Sequence, residues 1–113
     1  LDMFEEVRLA AFVAKGATGD PTAIPAKTAL AMGTRLGAQA LHLGDLTGSI
    51  TPGRRADLIL VDLSPLHNAP RFQRDEDGIY AQLVYAAKSH DVSDVMVYGS
   101  KFAKCIGTFD VDL

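Results

Sequence analysis

The sequence predicts an α/β protein in two parts, helices over residues 1–47 and strands with one inserted helix over residues 48–113. Three observations carry that expectation. Apolar residues recur at helical spacing in the first segments, whereas after Gly48 they gather in short runs bounded by Gly and Pro. Small residues crowd the stretch between, where Ala26, Ala29, Ala31, Gly33, Gly37, Ala38 and Ala40 allow helices to approach closely.

The first helix is expected over Asp2 to Lys15, with Met3, Val7, Ala10 and Ala14 on one stripe and Phe4 and Ala11 beside it. Asp2 is placed to cap it, Glu5 stands three residues on as in a capping box, and Gly16 is the expected C-terminal cap. Ala17 to Ala23 reads as a loop. Pro25 suits the first turn of a second helix, because its missing N–H would be unpaired there anyway. Ala26 to Met32 continues that helix. Gly33 and Gly37 mark a break or a tight contact before a third helical piece, Ala38 to Leu43. Next come a short extended piece at Ser49-Ile50, a turn at Thr51 to Arg54, and a strand from Asp57 to Leu63. The run Leu58 to Val61 is apolar at every position, so that strand is expected to be covered on both faces. Residues 64–74 read as irregular, with Pro65 and Pro70. The inserted helix spans about 76–87, and Asp94 to Tyr98 with Lys101 to Ile106 form a hairpin around Gly99-Ser100. Gly107 to Leu113 reads as a further extended strand or a frayed tail.

Composition narrows the functional classes. A net charge of −3 offers no basic stripe for phosphates, so nucleic acid is not an expected partner. Apolar runs such as Leu9 to Ala14 are far too short to cross a bilayer, and no leader pattern opens the chain, so no membrane partner and a cytoplasmic location are expected. A single cysteine, Cys105, cannot pair within the chain and reads as a small buried hydrophobe in a strand. The chain opens on Leu1 and enters a helix at once, which leads us to expect further sequence upstream. Strands this apolar need partners that the remaining sequence does not offer, and the same expectation follows.

Residues that carry chemistry are scarce. His42, His67 and His90 are isolated in sequence, and nothing in their spacing resembles a ligand pair, so they are read as scattered, with His42 and His90 at the surface. Gly48 to Arg55 carries two glycines at phosphate-loop separation. However, Lys and Ser/Thr are missing after the second, Pro52 removes a donor, and a strand rather than a helix follows. Asp75, Glu76 and Asp77 complement the start of the inserted helix, with Arg71 and Arg74 offsetting them. Asp57, at the head of a strand, reads as an anchor for backbone N–H groups of an adjacent turn. No catalytic, metal-binding or substrate-binding residue is assigned.

Two stretches resemble a known family. Gly48-Ser49-Ile50-Thr51-Pro52-Gly53-Arg54-Arg55-Ala56-Asp57-Leu58-Ile59 is similar to a stretch near the C-terminus of the amidohydrolase superfamily. Leu1 to Ala11, Gly19-Asp20-Pro21-Thr22 and Leu83-Val84-Tyr85-Ala86-Ala87 resemble its aminohydrolase branch of S-adenosylhomocysteine/methylthioadenosine deaminases and triazine chlorohydrolases. The resemblance implies the C-terminal part of a TIM-like (β/α)8 barrel hydrolase joined to half of a composite β-sandwich. Residues 1–47 would be the terminal barrel helix and linking helices, and 48–113 the C-terminal part of the small sandwich. It implies a whole protein that uses one divalent metal, zinc or iron, to activate water against a purine-like or other heterocyclic small molecule, and that forms a homo-oligomer. The family's ligands and its proton-shuttling aspartate all precede the segment matching Leu1. This chain would therefore bind no cofactor itself, and its first partner would be the missing N-terminal part. Met3 or Phe4, following the loop that carries the family's aspartate, would border a substrate pocket or, as the preferred alternative, pack the first helix against the barrel. The alternative is a non-catalytic β-rich module, or the small subunit of a split enzyme. Alone, the chain is expected to be poorly soluble or partly molten.

Overall fold

A computed structural model describes residues 2–69 and 76–104. Helix α1 spans Met3–Thr18, and Asp2 caps it as expected, its Oδ1 accepting from the N–H groups of Phe4 at 2.9 Å and Glu5 at 3.4 Å. The helix does not stop at Gly16. A glycine inside a helix costs only about 0.5–1 kcal/mol, and the Thr18 hydroxyl, donating to Ala14 O at 2.8 Å, accompanies one more turn. Gly19, with φ 66°, takes the left-handed cap instead.

Helix α2 spans Ala26–Met32, with Pro25 immediately before it at φ −55° and ψ 155°. A Cβ built on Gly33 would lie 2.7 Å from Val7 Cγ2, so the chain passes α1 closely enough that a side chain there would displace Val7. Helix α3 spans Arg35–Ala40, three residues earlier than the spacing suggested, and takes Gly37 into its interior. The buried cluster is built of small side chains: Ala11 of α1, Ala29 of α2 and Val84, with Val7, Ile24, Ala26, Leu30 and Tyr85 packed around them.

Three antiparallel strands follow, in spatial order β1-β2-β3: β1 Leu58–Val61, β2 Val92–Val97 and β3 Ser100–Lys104. Leu58 faces Met96 and Ile59 faces Val95, and the register shifts between Leu60 and Val61. The expected extended piece at Ser49-Ile50 is no strand, although the turn beyond it closes, with Arg54 N–H donating to Thr51 O at 3.1 Å. β1 was expected to be covered on both faces. Ile59 is instead 51% exposed and Leu60 61% exposed, because β1 is the sheet's edge strand and no second layer covers it among the described residues.

The inserted helix, α4 Glu76–Ala81, passes without a break into a π-helical turn at Gln82–Ala86. It packs back onto the first helices. The Arg8 guanidinium donates to Val84 O at 3.0 Å and Ala87 O at 2.6 Å, carbonyls at the end of the π turn that α-helical pairing would leave orphaned. Phe12 stacks on Tyr85, ring centroids 5.4 Å apart. The hairpin turn falls on Tyr98-Gly99, one residue before the expected Gly99-Ser100, with φ 53° and 78° at its two centres. Positive φ at both positions matches the twist of the flanking strands. Arg71, Arg74, Asp75, Cys105 and the tail from Gly107 lie outside the described residues, so the readings made for them rest on sequence alone.

Candidate functional site

A polar cluster forms where two short 3₁₀ turns meet, Leu66–Asn68 ahead of α4 and Ser89–Asp91 behind the π turn. The chain returns to the same point because Asp62 N–H, just past β1, donates to Asp91 O at 2.7 Å at the head of β2. Gln82 ties the cluster to the π turn, its amide donating to Asn68 O at 2.6 Å.

Asp91 is the centre. It is 3% exposed, and its Oδ2 accepts from His67 Nε2 at 2.7 Å, Lys88 N–H at 2.9 Å and Asn68 Nδ2 at 3.2 Å. Burial pushes its carboxyl upward, but the hydrogen bonds from His67, Lys88 and Asn68 outweigh it and hold the group below the ordinary carboxylate range. Its other oxygen, Oδ1, is buried with no hydrogen-bond partner among the described residues, and Asn68 Oδ1 is in the same condition. His90 Nε2 stands 3.6 Å from Asp91 Oδ1, and the rings of His67 and His90 meet edge to face with centroids 5.2 Å apart. One donor atom from each of His67, His90 and Asp91 falls within 4.8 Å of the others.

Of the three histidines isolated in sequence, His42 and His90 are at the surface as expected, and two of the three meet in space. His42 stays apart, exposed and in the left-handed region at φ 58°, whereas His67 and His90 converge on one carboxylate. His67 and His90 stand 23 positions apart in sequence, and neither lies on a periodic element, so no pattern signalled the meeting. The only local hint was the His90-Asp91 pair.

Asp57 is an anchor, as expected. Its Oδ1 accepts from Tyr98 N–H at 2.9 Å and its Oδ2 from the Thr47 hydroxyl at 2.8 Å. The Tyr98 and Thr47 bonds keep its carboxyl below the usual range. With Gly99 N–H donating to Ala56 O at 3.0 Å and Arg55 lying over the Tyr98 ring at 5.0 Å, this end of the sheet is fastened to the loop before β1. A surface hollow of about 320 Å³ opens here, lined by Gly53, Arg54, Arg55, Ala56, Tyr98 and Gly99. It shares no residue with the Asp91 cluster and contains no carboxylate or imidazole. The Gly48–Arg55 stretch rejected as a phosphate loop is used for packing: Gly48 has φ 92° and a Cβ there would lie 2.6 Å from Ala38 Cβ.

Comparison with known proteins places this architecture. Residues 1–101 match the model of the Amidohydrolase family. A 5-methylthioadenosine/S-adenosylhomocysteine deaminase of Halalkalibacterium halodurans is 47% identical over 112 residues, 97% of this chain and 24% of the relative. A 5'-deoxyadenosine deaminase of Methanosarcina acetivorans is 43% identical over 99 residues, 88% of this chain and 21% of the relative. Among solved structures, an adenosine deaminase from Xanthomonas campestris with bound zinc superposes with a TM-score of 0.85 at 42% identity, over 97% of this chain and 24% of that one. The chain thus spans about a quarter of the length of the relatives it matches.

Proposed function

Because the chain belongs to the amidohydrolase family, we propose that it is the C-terminal portion of a metal-dependent hydrolase that deaminates adenosine-type nucleosides. One observation carries this reading: 97% of the chain aligns, at 42% identity and a TM-score of 0.85, with part of an adenosine deaminase. The relatives named for 5-methylthioadenosine/S-adenosylhomocysteine and 5'-deoxyadenosine point to the same substrate class. In this proposal α1 is the last helix of a TIM-like barrel, α2 and α3 link it to a small sandwich, and β1 to β3 supply part of that sandwich.

The surface supports an incomplete unit. Leu9, Phe12 and Val13 on α1 are 52%, 53% and 59% exposed, and Leu60 on β1 is 61% exposed. Leu9, Phe12 and Val13 stand three and four residues apart on one face of α1, and large exposed apolar faces on monomeric proteins mark interaction sites. The occupant proposed here is the rest of the same polypeptide.

A bound divalent ion would supply an activated water for attack at the carbon that carries the amino group. The described residues tie no donor set to that task. The one His/Cys/Asp/Glu cluster among them is His67, His90 and Asp91, whose carboxylate oxygen Oδ2 accepts three hydrogen bonds while Oδ1 has none. The surface hollow beside Arg55 and Tyr98 lies elsewhere and shares none of these residues. No step of the reaction is therefore assigned to this chain. Its residues hold shape: Arg8 fixes the π turn to α1, and Asp57 fixes the sheet to its loop.

The test is ammonia release from adenosine, 5'-methylthioadenosine and S-adenosylhomocysteine by a protein of the relatives' length that carries this chain in its own reading frame. Turnover that chelation abolishes, with none from residues 1–113 alone, supports the reading. A folded, metal-loaded long protein that releases no ammonia from any of the three contradicts it.

A further inference from the structure

We propose that His67, His90 and Asp91 form a binding site for one divalent transition-metal ion of the zinc, cobalt or nickel class. The site centres on Asp91 Oδ1. A carboxylate oxygen buried without a donor is costly, and native structures leave few such atoms unexplained. This one has no hydrogen-bond partner among the described residues, and His90 Nε2 stands 3.6 Å from it. That gap is too long for a hydrogen bond. It suits a shared cation: two metal–ligand bonds of about 2.1 Å meeting near the tetrahedral angle span about 3.4 Å.

The third ligand is His67 Nε2. It now donates to Asp91 Oδ2 at 2.7 Å, and one donor atom of His67 lies within 4.8 Å of one from each of the other two residues. Turning it to the ion does not orphan Oδ2, which keeps Lys88 N–H at 2.9 Å and Asn68 Nδ2 at 3.2 Å. Those two donors orient the carboxylate from behind, as outer-shell groups do in metal sites. Two imidazoles and one carboxylate favour borderline transition metals over calcium or magnesium. The side chain of His90 is 67% exposed, so an ion enters from solvent and a water completes the shell. The inference does not rest on the deaminase reading.

The probe is Co²⁺ alone, titrated into the 113-residue chain and followed by visible absorption, with Zn²⁺ as competitor. Saturation at one equivalent is expected, with displacement of the imidazole resonances of His67 and His90 and none at His42. Loss of an outer-shell partner alone typically weakens a metal site about 10–100-fold; His90→Gln, at an exposed position, is expected to weaken binding by at least about tenfold. His42→Gln should leave it unchanged. A second arm uses the protein of the relatives' length, loaded with zinc: the His67→Gln/His90→Gln double variant should carry one fewer ion per chain by elemental analysis. Equal zinc content in wild type and double variant, or Co²⁺ affinity in the chain that ignores both substitutions, overturns the site and leaves a hydrogen-bonded His–Asp pair.

Discussion

At the scale of single residues, two side chains hold parts of the chain that lie far apart in sequence. Arg8 donates to Val84 O and Ala87 O, 76 and 79 residues away. Replacing it with Ala strands two carbonyls at the end of the π turn, for which a loss of about 1–3 kcal/mol is expected; the shift of the urea midpoint at constant slope measures it. Arg8→Lys should recover only part, since an ammonium does not reproduce the guanidinium fork. Asp57 acts through pH. The Tyr98 N–H and Thr47 hydroxyl depress its folded-state pKa, so its contribution is fully present above the unfolded carboxylate value. That contribution is lost as pH falls through the depressed folded value. Thermal midpoints of wild type and Asp57→Asn should therefore differ at neutral pH and converge in acid; a constant gap across the range would show that Asp57 acts through shape alone. The anchor was legible in the sequence, because an acid heading an apolar strand has few other duties. The Asp91 cluster was not. Its members sit on two 3₁₀ turns whose meeting depends on how β1 returns beside β2, which no local pattern encodes.

At the scale of elements, the starts of α1 and α2 were legible in the sequence, whereas the start of α3 and the end of α1 were not. Asp2 and Pro25 fix where α1 and α2 begin because each satisfies or lacks a specific backbone donor. The end of α1 was misplaced at Gly16, since a Lys-Gly pair looks like a terminus when the Thr18-to-Ala14 bond and the left-handed Gly19 are out of view. The π turn at Gln82–Ala86 was likewise invisible in an ordinary apolar spacing. Asp2→Ala should cost about 1 kcal/mol through the lost cap, read as lower helicity and an earlier thermal transition. Gly48→Ala meets both a φ of 92° and a Cβ contact of 2.6 Å with Ala38. Strain at such positions is of order 1–3 kcal/mol, so this variant is expected to destabilise more than the cap variant. Equal midpoints in the two would mean that the loop before β1 yields freely.

At the scale of the whole molecule, the outline follows from apolar surface that the chain does not bury itself. Among the described residues the fully buried cluster is Ala11, Ala29 and Val84, while larger side chains on α1 and β1 stand in solvent. The shortage of strand partners could be read from the sequence, but the exposure of β1 on both faces could not, because an apolar run shows what must be covered and not by what. In the proposed reading the rest of an amidohydrolase supplies that cover, since the chain spans about a quarter of the length of the relatives it matches. Amide hydrogen exchange tests this most directly, comparing Leu58–Val61 and the outer face of α1 in the 113-residue chain and in a protein of the relatives' length. Fast exchange in the chain alone, with protection rising by orders of magnitude in the longer protein, is the predicted result. Equal protection in both would contradict it and make the chain a self-sufficient domain.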